Sequence, residues 1–277
     1  MLGKSKWLNI LALAVYAFLY APILVLIIFS FEQSKIAVHW TGFSLHWYQA
    51  LFGDETLGIA LFNSIIVALV SVFFSASMGT LAAVGLTRLH FAGKNLYRAI
   101  VTLPIIIPEI AMAVSALTLF LFMGIRLSLA TVIVSHIVFC VAYVVLTVMG
   151  RMEGINKSLE EAAQDLGASP IMAFFRVTLP LLMPGVIAGS LLAFVLSLDD
   201  FIITQFNAGV GATTLPLRIY SMVKFGVSPE INALSTLMIL GTVSLTLAAE
   251  LIRNGGSRKT KISLAMPEDS LIVKTGQ

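Results

Sequence analysis

Ser158–Pro180, SLEEAAQDLGASPIMAFFRVTLP, is a polar stretch held between two membrane-length apolar runs, Leu127–Gly150 and Val177–Leu198. Ser158 and Glu161 stand in the S-x-x-E spacing of a capping box, which predicts a helix start at Ser158. Leu159, Ala162, Ala163 and Leu166 recur at helical spacing and give that helix one apolar face. Gly167 suits the left-handed residue that ends a helix, and Ser169–Pro170 offers a fresh N-cap with proline at the first helical position. Two short helices with a sharp bend at Gly167 are therefore expected. The pattern alone fits an interfacial loop lying flat on lipid as well as it fits a surface ordered to touch another protein. What flanks the stretch decides the fold.

Of 277 residues, 58% are hydrophobic and 11% charged, with a mean hydropathy of +0.98. A soluble domain carries about 25% charge. Long apolar runs cover Trp7–Phe31, Thr56–Thr87, Ala99–Ile125 (interrupted by Glu109), Leu127–Gly150, Val177–Leu198 and Ile231–Ala249. Each supplies the roughly 20 residues that span a bilayer. The expected fold is all-α: a polytopic membrane protein of six transmembrane helices at about 7–31, 60–87, 99–123, 127–150, 182–206 and 232–252. Residues 1–6 precede this domain of 7–253, the bent loop is 151–180, and a polar, flexible tail covers 254–277. The first run is 25 residues long, beyond the ~7–15 of a cleavable signal, and reads as a retained anchor.

Lys and Arg set the orientation. With the N-terminus inside, the inner segments hold Lys4, Lys6, Arg88, Lys94, Arg98, Arg151, Lys157, Arg176, Arg253, Arg258, Lys259, Lys261 and Lys274. The outer segments hold only Lys35, Arg126, Arg218 and Lys224. This satisfies the positive-inside rule, makes both termini cytoplasmic and puts the bent loop in the cytoplasm. The net charge of +3 is thus topological and does not indicate nucleic-acid binding. No G-x-x-x-x-G-K-[ST] phosphate loop occurs, so this chain does not bind ATP in the usual P-loop manner. His136 and Cys140 share a helix face, but two ligands fall short of a zinc site and read as a buried polar pair. Trp40, Trp47 and Tyr48, in the outer segment, read as an interfacial aromatic belt in preference to a docking surface. Phe206–Asn232 is expected to dip back as a re-entrant or lateral helix.

Glu161-Ala162-Ala163, with Gly167 four residues after Ala163 and Leu179-Pro180 beyond, resembles the EAA loop of ABC-importer permeases. SLDDFIITQF, TLPLRIYSMVKFGVSPEINAL and LPIIIPEI resemble the spermidine/putrescine branch of that family, and the likeness runs over roughly Trp7–Arg253. It implies a type I importer (MetI-like) fold in the cell inner membrane, with Glu161, Ala162, Ala163, Gly167, Leu179 and Pro180 forming the loop that couples to an ATPase. It implies no enzymatic activity and no cofactor in this chain, ATP and Mg belonging to the partner ATPase. The expected partners are a second permease subunit, two copies of the ATPase, an extracytoplasmic polyamine-binding protein and membrane lipid.

Charges inside the membrane cost about 2.5–3.5 kcal/mol each on insertion scales and need a reason to persist. Asp199 and Asp200 lie about 22 Å along the fifth span from Pro184, near the outer end. Adjacent residues point about 100° apart on a helix, so at most one faces a path squarely. Asp199 is preferred as the counter-charge for a diamine or triamine, and Asp200 would pair within the bundle or cap a helix. Glu109 lies near the midplane beside a kink expected from Pro104 and Pro108; it either lines the path or serves a structural role. Tyr220 and Lys224 share a helix face at the outer mouth. Tyr220 would stack on an alkylammonium and Lys224 would bridge to an aspartate at rest, or both anchor the interface. Other ABC cargo is the alternative, and a self-contained secondary carrier is weakened by the lack of an apparent inverted repeat.

Overall fold

A computed structural model describes residues 6–35, 39–224, 226 and 228–262. Among these residues regular structure is helical, apart from one isolated antiparallel bridge between Glu32 and Phe43. The order is α1 (Lys6–Phe29), α2 (His46–Gly53), α3 (Glu55–Arg88), α4 (Lys94–Ile106), α5 (Glu109–Phe122), α6 (Leu129–Met152), α7 (Ser158–Asp165), α8 (Pro170–Ala173), α9 (Leu179–Asp199), α10 (Ile202–Asn207), α11 (Leu215–Lys224) and α12 (Pro229–Ile262). A π-helical turn, Phe174–Thr178, joins α8 to α9. The chain forms two compact units, one through Leu237 and one from Met238; the second holds the C-terminal part of α12.

Among the described residues, four helices are long and apolar enough to cross a membrane: Trp7–Phe29, Glu55–Arg88, Leu129–Met152 and Pro170–Asp199. The pair α4 and α5 makes a fifth if counted as one span, but it bends by 110°. The sequence predicts one kinked helix over 99–123; the kink is in fact a break. Ile107 is extended (ψ 134°) because a residue before proline is pushed out of the helical region, and Pro108 then caps α5. Pro104 is absorbed inside α4. The helix expected over 182–206 likewise ends at Asp199, where Asp200 turns extended (ψ 126°) before α10 begins. The tail expected from Asn254 is helical to Ile262, and its remainder lies outside the described residues.

In the first unit α3, α6 and α9 pack against one another and make the core. Lipid gives helices no hydrophobic reason to associate, so close contact and interhelical hydrogen bonds must do it. Small residues permit the approach. A Cβ on Gly79 of α3 would come 2.8 Å from Val144 Cβ, and one on Gly185 of α9 would come 2.7 Å from Arg151 Cβ. The Ser71 and Ser75 hydroxyls donate to the Ile133 and Ile137 carbonyls at 3.2 and 3.3 Å. Steps of four along both helices keep pace, so α3 and α6 run parallel. By contrast, α1 buries nothing along its apolar window and presents its side chains outward, as a helix facing lipid or another chain does.

The segment before α3 is more ordered than an aromatic belt requires. Glu32 is fully buried and its carboxylate accepts from the Ser34 and Thr41 amides. Trp47 is buried and its indole donates to the Glu32 carbonyl at 2.7 Å, while the Tyr48 hydroxyl meets Ser30 Oγ at 2.7 Å. Both rings therefore hold the loop together, and Trp40 alone of the three stays half exposed.

Asp54 caps α3, accepting from the Thr56 hydroxyl (2.6 Å) and the Thr56 and Leu57 amides (2.8 and 3.3 Å), with Arg218 at 3.5 Å. The Thr56 hydroxyl first, then these amides and Arg218, hold its carboxyl below the ordinary value of 3.8 against the opposing effect of burial. A depressed carboxylate stabilises the fold above its unfolded pKa, and that stability is lost as pH falls through the lower folded value. Asp54→Asn should therefore weaken this corner by about 1 kcal/mol at neutral pH and remove its acid dependence, read by hydrogen exchange at Thr56 and Leu57.

Candidate functional site

The break after α9 separates two adjacent carboxylates. Asp199, the last residue of α9, is exposed, whereas Asp200 is 5% exposed. Asp200 Oδ1 accepts from the Ile203 amide at 3.1 Å, and Oδ2 accepts from the Thr204 amide and hydroxyl, both at 2.9 Å. It thus caps α10 as an aspartate at a helix start does. His136 of α6, also buried, lies 3.1 Å from Oδ2 through Nε2 and meets Ser197 Oγ at 2.8 Å through Nδ1. The partner of His136 is therefore Asp200; Cys140 turns instead to the Ala193 carbonyl at 3.6 Å.

Beside this cap lies a cavity of about 540 Å³. The broken α4–α5 span contributes Pro104, Ile107 and Glu109, α6 contributes Phe139 and Tyr143, and the α9–α10 break contributes Asp199, Asp200 and Phe201. The two breaks make the cavity, since each swings a backbone aside and turns a carboxylate inward. Among the described residues, its lining holds three carboxylates and no Lys or Arg. Glu109 lies within electrostatic reach of both aspartates. An arrangement of this kind suits a cation that brings its own positive charge and an apolar stem.

The predicted residues divide accordingly. Glu109, Asp199 and Asp200 meet at one cavity. Tyr220 reaches it indirectly, its ring 4.5 Å from that of Phe201. Lys224 is exposed, and no ion pair joins it to an aspartate among the described residues. Arg218 pairs with Asp54 and ties α11 to the start of α3. Asn63 and Ser64 of α3 reinforce that tie: Asn63 Nδ2 donates to the Gly211 and Thr213 carbonyls at 3.1 and 3.0 Å, and Ser64 Oγ accepts from the Leu215 amide at 2.8 Å. Tyr143, Phe139 and Phe201 are cavity residues that the sequence does not single out, because an aromatic in an apolar run looks the same facing lipid or a path.

At the other end of α9 the bent stretch forms, with one change. Lys157, not Ser158, is the N-cap of α7, and the Ser158 amide donates to Asn156 Oδ1 at 3.0 Å. The capping box is not made; Glu161 pairs instead with Lys157 at 3.3 Å on the surface. Gly167 has φ +90°. The Ala168 amide donates to the Ala163 carbonyl and the Gly167 amide to the Gln164 carbonyl, at 3.0 and 2.9 Å, the two bonds of a Schellman ending. Ser169 Oγ then accepts from the Met172 amide at 3.3 Å to start α8. Beyond the bend α8, the π-turn and α9 run on as one span from Pro170 to Asp199, and Leu179 and Pro180 begin its α9 portion. Glu161 and Ala162 are exposed, Ala163 is half-buried, and Leu166 is 91% and Ile171 72% exposed. The elbow shows apolar surface that its own fold leaves uncovered.

Residues 75–261 match the family described as "Binding-protein-dependent transport system inner membrane component". The chain belongs to that family. This permease is 42% identical over 249 residues to "Putrescine transport system permease protein PotI" of Escherichia coli (strain K12), covering 87% of this chain and 88% of that one. It is 40% identical over 244 residues to "Spermidine/putrescine transport system permease protein PotC" of Haemophilus influenzae, covering 88% and 95%. Among solved structures, a bacterial ABC transporter for import of the acidic polysaccharide alginate has a chain that matches with a TM-score of 0.70 at 20% identity, over 92% of this chain and 95% of that one. The MetNI methionine ABC transporter matches with a TM-score of 0.59 at 22% identity, over 73% and 98%. At these identities the two structures establish the fold, that of an ABC-importer permease. This permease is an inner-membrane transport component and not an enzyme.

Proposed function

We propose that this permease lines half of the path of an ATP-driven importer for polyamines, spermidine or putrescine, and is driven at its elbow by a separate ATPase. The observation that carries this reading is the cavity with three carboxylates and no basic side chain, set between two helix breaks. Alkylammonium groups are held by carboxylates through charge-assisted hydrogen bonds and by aromatic faces through cation–π attraction. Asp199 is the accessible counter-charge, Glu109 the second acid on the path, and Tyr143 and Phe201 supply ring faces, with Tyr220 supporting Phe201. Asp200 keeps the cavity's shape. The names of the relatives, putrescine and spermidine permeases, point to the same cargo.

The full arrangement has six spans, the sixth within α12, with both termini and the elbow in the cytoplasm, as thirteen against four basic residues favour. A second permease subunit completes the path, two ATPase copies supply the drive with ATP and Mg, and an extracytoplasmic binding protein delivers the polyamine. Glu161, Ala162 and Ala163 with the exposed Leu166 form the face that meets the ATPase. The π-turn and Leu179-Pro180 pass its movement into α9, giving alternating access as a two-state change.

The reading is tested by uptake of spermidine and putrescine into proteoliposomes holding the complete importer, beside liposomes with this chain alone. ATP-dependent uptake by the former only is expected; ion-driven uptake by the chain alone would overturn it. Gly167→Val probes the elbow. Nothing lies within 4 Å of the added Cβ, so the cost is purely that of φ +90° on a β-branched residue. The Schellman ending should open, with membrane insertion unchanged and ATPase co-purification lost. Co-purification at the wild-type yield would remove Gly167 from the coupling role.

A further inference from the structure

We propose that Arg88 and Glu160 form a strut that carries movement of the elbow into α3, and through α3 to the aromatic pair beside the acidic cavity. This rests on the elbow receiving an ATPase. The elbow has a direct route into α9, because one helix continues into the other. Its first arm, α7, has no such continuity, and none of its residues is buried, so packing gives it little grip on the bundle. Glu160 supplies the grip. Its Oε1 accepts from Arg88 Nε at 2.9 Å and lies 2.9 Å from Arg88 Nη2. Arg88 Nη2 also donates to the Ile155 carbonyl at 3.4 Å, so one guanidinium ties both α7 and the turn leading into it to the last residue of α3.

The pair is shielded, with 16% and 17% of the two side chains exposed, unlike Lys157–Glu161 at 62% and 59%. An exposed pair within one turn of helix adds little, whereas a planar guanidinium held at several points fixes geometry as well as charge. Behind Arg88 the helix is firmly seated: Leu86 is fully buried and the Thr87 hydroxyl meets Met152 Sδ at 2.8 Å. A displacement at Arg88 therefore moves α3 as a body.

The far end of α3 is fastened as well. Asn63 and Ser64 hold the Gly211–Leu215 segment by three hydrogen bonds, and Asp54 holds Arg218. Those contacts carry α11, whose Tyr220 ring rests on Phe201 of the cavity lining. Glu160, Arg88, α3, Asn63–Ser64, α11 and Tyr220–Phe201 thus form one mechanical line of packed and hydrogen-bonded parts from elbow to cavity. Two lines, one directly into α9 and one through α3 and α11, let a single push at the elbow converge on the α9–α10 break beside the cavity.

The test uses the complete importer in proteoliposomes, with ATP hydrolysis and polyamine uptake measured together on wild type, R88Q, E160Q and the exchanged pair R88E/E160R. Both single variants should assemble and retain the ATPase, yet consume about fivefold or more ATP per polyamine imported. The exchanged pair should recover most of the coupling. A merely structural role would lower yield and leave that ratio alone. Wild-type ratios in both single variants overturn the strut, and so does an exchanged pair no better coupled than R88Q. Should R88Q fail to assemble, E160Q, which leaves the Arg88–Ile155 bond in place, decides by the same ratio. A wild-type complex in which the ATPase does not touch the elbow would instead overturn the proposed function, so the two failures are separable.

Discussion

Asp199→Asn should lower polyamine uptake by about tenfold or more while leaving membrane insertion and assembly with the partner subunits intact. The magnitude follows from the loss of a hydrogen bond to a charged group, about 1.5–3 kcal/mol, with tenfold per 1.4 kcal/mol. The fold should not suffer. Asp199 is exposed at the end of α9, takes part in no ion pair among the described residues and leaves the cap of α10 untouched. The loss should grow with the charge number of the cargo if the carboxylate acts as a counter-ion, so spermidine should be affected at least as strongly as putrescine. Measured uptake in proteoliposomes equal to wild type would remove Asp199 from the path and leave Glu109 as the acid to test next.

Asp200→Ala is expected to fail differently. Its carboxylate is buried, accepts three hydrogen bonds from α10 and faces His136. Removing the carboxylate leaves buried donors of α10 without their acceptor, at about 1–3 kcal/mol for each unsatisfied group, and the lost cap adds about 1. Against typical stabilities of about 5–15 kcal/mol, this should deplete the folded chain from the membrane and lower its thermal midpoint in detergent. Asp200→Asn keeps an acceptor for the Ile203 and Thr204 amides and should fall between. Accumulation of Asp200→Ala at the wild-type level with uptake alone abolished would make Asp200 a path residue and not a cap.

The elbow shows how far local chemistry reaches. Gly167 and Ser169–Pro170 behave as their spacing predicts, because a left-handed helix end and an N-cap are decided within five residues. Ser158 does not, because the choice between Ser158 and Lys157 as cap turned on Asn156, which reaches the Ser158 amide first. At the cavity the same distinction recurs on a larger scale. Pro108 announces an interruption in its helix, but no spacing rule says that the interruption becomes a 110° break. Phe139, Tyr143 and Phe201 carry no local sign of lining a cavity, since apolar runs of this composition serve lipid and interior alike.

By itself the sequence determined that the chain lives in a membrane, where its apolar runs lie and where the elbow bends, because bilayer thickness and helix capping act on contiguous residues. Only the tertiary structure decided which of two neighbouring aspartates is free and which is spent. That choice depends on His136, which lies more than sixty positions away in the chain and yet 3.1 Å from Asp200 in space. A charge buried in hydrocarbon is kept by whatever partner the fold brings to it, and no local pattern names that partner.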